Sequence, residues 1–140
     1  MKKIILSLLL GSTIGMHSYA QCNQRVTFNS SKTDYIDAKG SVQQSKDEQT
    51  VVNYDNEDLS ILNNGEQWTG TIVSSSCDWK KNYTEGKTVL RANLSANKGD
   101  AHNAVVTVEG KDGNVSVVLE MDNMPLRKFQ MTADAFREIQ

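Results

Sequence analysis

The sequence predicts an all-β protein, an antiparallel up-and-down meander of eight or nine short strands with a short C-terminal helix. Three observations carry that expectation. Asn64-Gly65 and Asp112-Gly113 have the composition of type I′ hairpin turns, and both are flanked by runs in which apolar and polar residues alternate. Such runs recur at near-regular spacing with no helical crossover between them, which excludes a parallel α/β sheet. A meander of that many strands with one apolar face must then close into a barrel or fold over as two sheets.

The hairpin from Ala101 to Asp122 is the clearest case. Folding about Asp112-Gly113 sets Lys111 opposite Asn114, Val108 opposite Val117, Val106 opposite Leu119 and Ala104 opposite Met121, so one face of the ribbon is apolar. A one-residue slip would send every apolar partner to the wrong side, so turn and pattern select the same register.

The remaining elements follow in order. Arg25 to Asn29 reads as a first strand with Val26 and Phe28 on one side. Asp34 to Val42 reads as a second, with Ile36, Ala38 and Val42 inward and Tyr35, Asp37 and Lys39 outward. Gln43 to Glu48 is polar throughout and reads as a loop, and Gln49 to Asp55 as a strand in which Thr50, Val52 and Tyr54 share a face. Folding about Asn64-Gly65 pairs Ile61 with Trp68 and Leu59 with Gly70, a glycine that signals a bend or bulge. Asp78 to Gly86 reads as a long connection. Lys87 to Ala96 turns Thr88, Leu90, Ala92 and Leu94 inward. After Pro125, the run from Leu126 to Met131 forms the last strand, with Phe129 and Met131 inward. Thr132 is placed to N-cap a helix from Ala133 to Ile139, with Phe136 and Ile139 on one face.

The first twenty residues read as an address. Lys2 and Lys3 precede a short apolar run, and Ser18 and Ala20 supply the small residues of a cleavage site, so residues 1–20 are expected to be a secretory signal peptide and 21–140 a single domain. Export to a periplasmic or extracellular compartment follows. Cys22 invites lipid attachment, which calls for a small preceding residue where this chain has Gln21. Removing Lys2 and Lys3 from the 15 basic residues leaves 13 against 17 acidic ones, a net charge of −4. No basic stripe is present, which argues against a nucleic-acid partner, and no later stretch is apolar enough to span a bilayer. Cys22 and Cys77 are the two cysteines, and in an oxidising compartment they are expected to form a disulfide.

The chemistry-bearing residues are few. His102 is the sole histidine after the leader and has no partner motif, which leaves nucleophilic catalysis without its usual base and a metal without further ligands. Asp55, Glu57 and Asp58 cluster between strands without the spacing of a calcium loop, and they read, like Asp47-Glu48, as solvated turns. The segment from Asp78 to Tyr83 brings Trp79 and Tyr83 beside Lys80 and Lys81, next to Cys77. Large contact area, positive charge and a covalent anchor make these four residues the expected binding platform for a ligand or partner.

In its layout the chain resembles the lipocalin-like barrels, secreted up-and-down barrels of this size that are often closed by a disulfide and flanked by a C-terminal helix. The resemblance covers Arg25 to Ile139 and rests on layout, since the Gly-x-Trp signature near the first strand is missing and Trp68 stands mid-chain. The chain is also similar to small exported bacterial proteins whose role is unassigned. The first functional expectation is a non-enzymatic exported barrel, monomeric and without cofactor, that binds a small molecule or a protein partner. The alternatives are a small enzyme using barrel-mouth carboxylates such as Asp37 or Asp55, and an inhibitor or interaction module acting through the Trp79 loop.

Overall fold

The computed structural model describes Cys22 and residues 24–81, 83–97 and 99–139; the expected signal segment lies outside them. Nine strands run in the order β1 (Arg25–Ile36), β2 (Val42–Tyr54), β3 (Asp58–Asn63), β4 (Glu66–Lys81), β5 (Glu85–Ala96), β6 (His102–Lys111), β7 (Asn114–Met121), β8 (Lys128–Thr132) and β9 (Ala135–Ile139). Every pairing is antiparallel; β1 to β7 each pair with the next strand in sequence and β1 also pairs with β8, so eight strands form a closed up-and-down barrel. The ninth lies outside that ring. No helix among the described residues is long and apolar enough to cross a membrane.

Both hairpin registers are those the turns dictate. Val108 pairs with Val117 and Val106 with Leu119, while Ile61 pairs with Trp68 and Leu59 with Gly70. The turn residues sit at positive φ, 44° and 87° at Asn64 and Gly65, 53° and 81° at Asp112 and Gly113, the geometry that a type I′ turn requires. Gly70 marks a close approach: a Cβ there would lie 1.7 Å from the Asn93 carbonyl oxygen on β5. Alternation then fills the barrel, with Val26, Phe28, Val52, Leu59, Leu94 and Val106 among its fully buried side chains.

Three expectations are corrected. Arg25 to Ile36 is a single strand, and Ala38, expected inward, lies exposed in the turn that follows it, while Val42 is also exposed. Gln43 to Glu48 is not a loop but the first half of β2, paired with the upper half of β1; residues 43–47 are exposed and Glu48 is buried. The segment from Ala135 to Ile139 forms a strand, not a helix. β8 is only five residues long and covers Thr33 to Ile36, which leaves the lower half of β1 as an open edge. β9 pairs with that edge from Arg25 to Asn29. Hydrogen bonds to an existing edge outweigh the weak propensity of a seven-residue helix.

Candidate functional site

The two ends of the barrel are built differently. The end that holds the β3–β4 turn and the segment between β7 and β8 contains a cavity of 180 Å³, walled by Ile61, Trp68, Leu119, Met121, Phe129 and Met131, with Thr33, Tyr35, Thr50 and Asn63 as its polar side and Glu66 among the residues that line it. A bulge in the β1–β2 pairing, where Glu48 and Gln49 of β2 stand opposite Ser31 alone, aims two of these residues inward. Between Ser30 and Lys32 the register shifts by one residue, and the buried Ser30 hydroxyl holds the distortion by donating to the Lys32 carbonyl (2.9 Å) and accepting from the Lys32 amide (3.3 Å). Below the bulge Val26, Phe28 and Ser30 face the core. Above it Thr33 and Tyr35 line the cavity, so Tyr35 faces the opposite way from the sequence expectation.

Strand β2 keeps a strict period of two through Tyr54, Val52, Thr50 and Glu48, and this brings a carboxylate inside. Glu48 is 8% exposed. The Tyr35 hydroxyl donates to its Oε1 at 2.7 Å and the Asn63 amide to its Oε2 at 3.1 Å, while the same amide donates to Thr50 Oγ1 at 3.1 Å. Burial alone would raise the Glu48 carboxyl. The donors Tyr35 and Asn63, the neighbouring Thr33 hydroxyl and the Lys46 ammonium outweigh that effect and hold it below the ordinary carboxylate range. Burial, followed by the bond to Glu48 and its charge, pushes the Tyr35 phenol up to about 12. The Tyr35 ring packs edge-on against Phe129 at 5.2 Å, with Lys46 Nζ 4.8 Å from its centre and the Arg127 guanidinium at 5.7 Å. Thr33, 2% exposed, is the looser member: its buried hydroxyl stands near enough to Glu48 to help hold the charge, but no partner lies within hydrogen-bond geometry of Oγ1.

The opposite end carries a packed chain of aromatic rings. Trp79 Nε1 donates to Thr88 Oγ1 at 2.8 Å, and the indole contacts Tyr83 edge-on at 5.6 Å. Tyr83 meets Phe136 at 4.6 Å, and Phe136 meets the core ring of Phe28 at 6.4 Å. The Tyr83 backbone is at φ 53°, an uncommon conformation for a bulky residue, and its hydroxyl donates to Glu138 at 2.7 Å. Beside this aromatic chain lies the Cys22–Cys77 disulfide, which ties the start of the domain to β4. Its Cys77 sulfur accepts from the Thr88 hydroxyl at 3.6 Å.

The expected platform of Trp79, Lys80, Lys81 and Tyr83 is therefore divided. Trp79, Lys80 and Lys81 belong to β4 rather than to a loop, and strand alternation turns Trp79 toward the core and Lys80 outward, where it lies 3.8 Å from Glu85. The structure joins Trp79 to Tyr83 but leaves both lysines in solvent. The two barrel-mouth carboxylates are separated more completely. Asp37 and Asp55 stand at opposite ends of the barrel, and each holds a turn: Asp37 Oδ1 accepts from the amides of Lys39 and Ser41, Asp55 Oδ1 from those of Glu57 and Asp58. These bonds, first of all, hold Asp55 below the ordinary carboxylate range. His102 lies beside Asp122, with 3.4 Å from Nδ1 to Oδ1. Among the described residues no group of three metal-ligating side chains occurs.

Sequence reasoning did not single out the Tyr35, Glu48 and Asn63 cluster. One signal was available for Glu48, because the inward phase of Tyr54, Val52 and Thr50 lands on it when extended by two residues. None was available for Tyr35, since the bulge that reverses its phase is stabilised by an ordinary serine. Comparison of the chain with protein families, with curated proteins and with solved structures finds no match.

Proposed function

We propose that the protein is an exported, non-enzymatic carrier or sensor of a small apolar molecule, held in the cavity beside Tyr35. The observation that carries this reading is the cavity itself, an apolar hollow with a few convergent polar groups on one side. Its 180 Å³ exceeds the roughly 150 Å³ that accommodates benzene in a dry engineered cavity. The depression of 660 Å³ near Arg25, Tyr54 and Asp55 is larger but more open to solvent. The Tyr35 and Glu48 pair does not favour catalysis. A general acid and base work best with pKa values near the operating pH, whereas here the phenol is driven up and the carboxyl down. A disulfide suits an oxidising compartment outside the cytosol, in keeping with the leader-like start of the chain.

The test is thermal melting with toluene as the probe. At ten times its Kd, a ligand held only by the folded state adds about 1.4 kcal/mol, which raises Tm by about 5 °C in a domain of this size. Met124 is a half-buried residue on the cavity wall, and Met124→Trp should abolish that rise without lowering the melting point of the free protein. The absence of any probe-dependent rise in the wild type would refute the reading.

A further inference from the structure

We propose that the cavity selects an uncharged, mainly apolar molecule the size of a small substituted benzene that carries a single hydroxyl group, and that this hydroxyl bonds to Thr33 Oγ1. The inference rests on the cavity being a binding site and names the class of ligand it takes.

Three features point to one hydroxyl. Thr33 is 2% exposed, lines the cavity and leaves Oγ1 without a hydrogen-bond partner, a condition that costs stability unless something else satisfies it. Asn63, also on the wall, has both of its side-chain bonds on Nδ2, which leaves the amide oxygen as an acceptor. A ligand hydroxyl suits this pair, since it can accept from Thr33 and donate its own proton, while a carbonyl can only accept. The rest of the wall is hydrocarbon, aromatic ring and thioether, surfaces that take an apolar body and would strand a second polar group.

Charge argues against ions. A ligand carboxylate would enter a cavity whose wall residues Tyr35 and Asn63 hold the ionised, 8% exposed Glu48 just behind them, with Glu66 on the wall itself. The cations of this region, Lys46 and Arg127, are exposed residues set against the Tyr35 ring and are not among those lining the cavity. An ammonium group would find no buried carboxylate on the wall, because the oxygens of Glu48 are held by Tyr35 and Asn63.

Titration calorimetry on the disulfide-bonded protein with benzyl alcohol, ethylbenzene, benzylamine and benzoate tests the proposal, with Thr33→Val and Thr33→Ser as variants. The quantity read is the ratio of the ethylbenzene Kd to the benzyl alcohol Kd. In a mutant cycle the Val variant should lower this ratio about tenfold, the Ser variant should leave it within about twofold, and both ions should bind more weakly than the alcohol. A ratio unchanged in Thr33→Val, or tighter binding of benzylamine or benzoate than of benzyl alcohol, overturns the hydroxyl assignment while leaving the cavity as a binding site. If none of the four probes binds, the carrier reading falls and this inference with it.

Discussion

The two ends of this barrel solve the same problem with different chemistry. At the Trp79 end the rings of Trp79, Tyr83, Phe136 and Phe28 form a continuous edge-to-face chain beside a disulfide. The backbone is shaped to the indole: a Cβ at Gly110 would lie 2.6 Å from the Trp79 ring and one at Gly86 2.8 Å from it. At the Tyr35 end the side chains do not meet, and a hollow remains between Trp68, Phe129 and three methionines, with a buried carboxylate nearby and one hydroxyl unanswered. Close packing contributes stability, whereas a cavity forfeits contacts with nothing on its far side. The end that gives up that stability is where the proposed ligand would sit, and the aromatic end with its disulfide is the anchor.

The comparison can be broken most severely at the anchor. Replacing Cys22 and Cys77 by serine opens a 55-residue loop, and on the chain-entropy model this costs about 4 kcal/mol, read as a lower denaturant midpoint with toluene affinity unchanged under native conditions. Next comes Trp79→Ala, expected to cost about 3 kcal/mol because it removes the indole from Thr88, Tyr83 and the two glycines, while Trp68→Ala at the hollow end costs about 1 kcal/mol. Equal losses would erase the distinction between the ends. A near-zero loss at Trp79 would instead favour Trp79, Lys80, Lys81 and Tyr83 as a recognition surface.

The smallest effect sharpens the polar side of the hollow. Because the Glu48 carboxyl is lowered in the folded state, its contribution is present above the ordinary carboxylate range and is lost as pH falls through its folded value. Tyr35 has the opposite sense. Its raised phenol contributes fully below its ordinary value of 10 and loses that contribution as pH climbs toward about 12. Glu48→Gln should therefore cost about 1 kcal/mol at neutral pH and flatten the acid limb of a stability profile. An unchanged acid limb would mean that Glu48 is not the group that titrates.

The sequence by itself determined the all-β class, the antiparallel order and both hairpin registers, because type I′ turn chemistry and period-two alternation are local and agree with each other. It also determined the inward set of β5 and the Cys22–Cys77 pairing, the latter because no third cysteine follows the leader. Tertiary structure decided what depends on a second chain segment. Whether Ala135 to Ile139 coils or extends depends on the free edge left by a short β8, and the direction of Tyr35 depends on a bulge held by one buried hydroxyl. That Glu48 is an interior group rather than a solvated turn depends on Tyr35 and Asn63, 13 and 15 residues away, which arrive to hold its charge. A carboxylate is buried only where its partners are, and those partners come from β1 and β3, positioned by closure of the barrel and not by any run of adjacent residues.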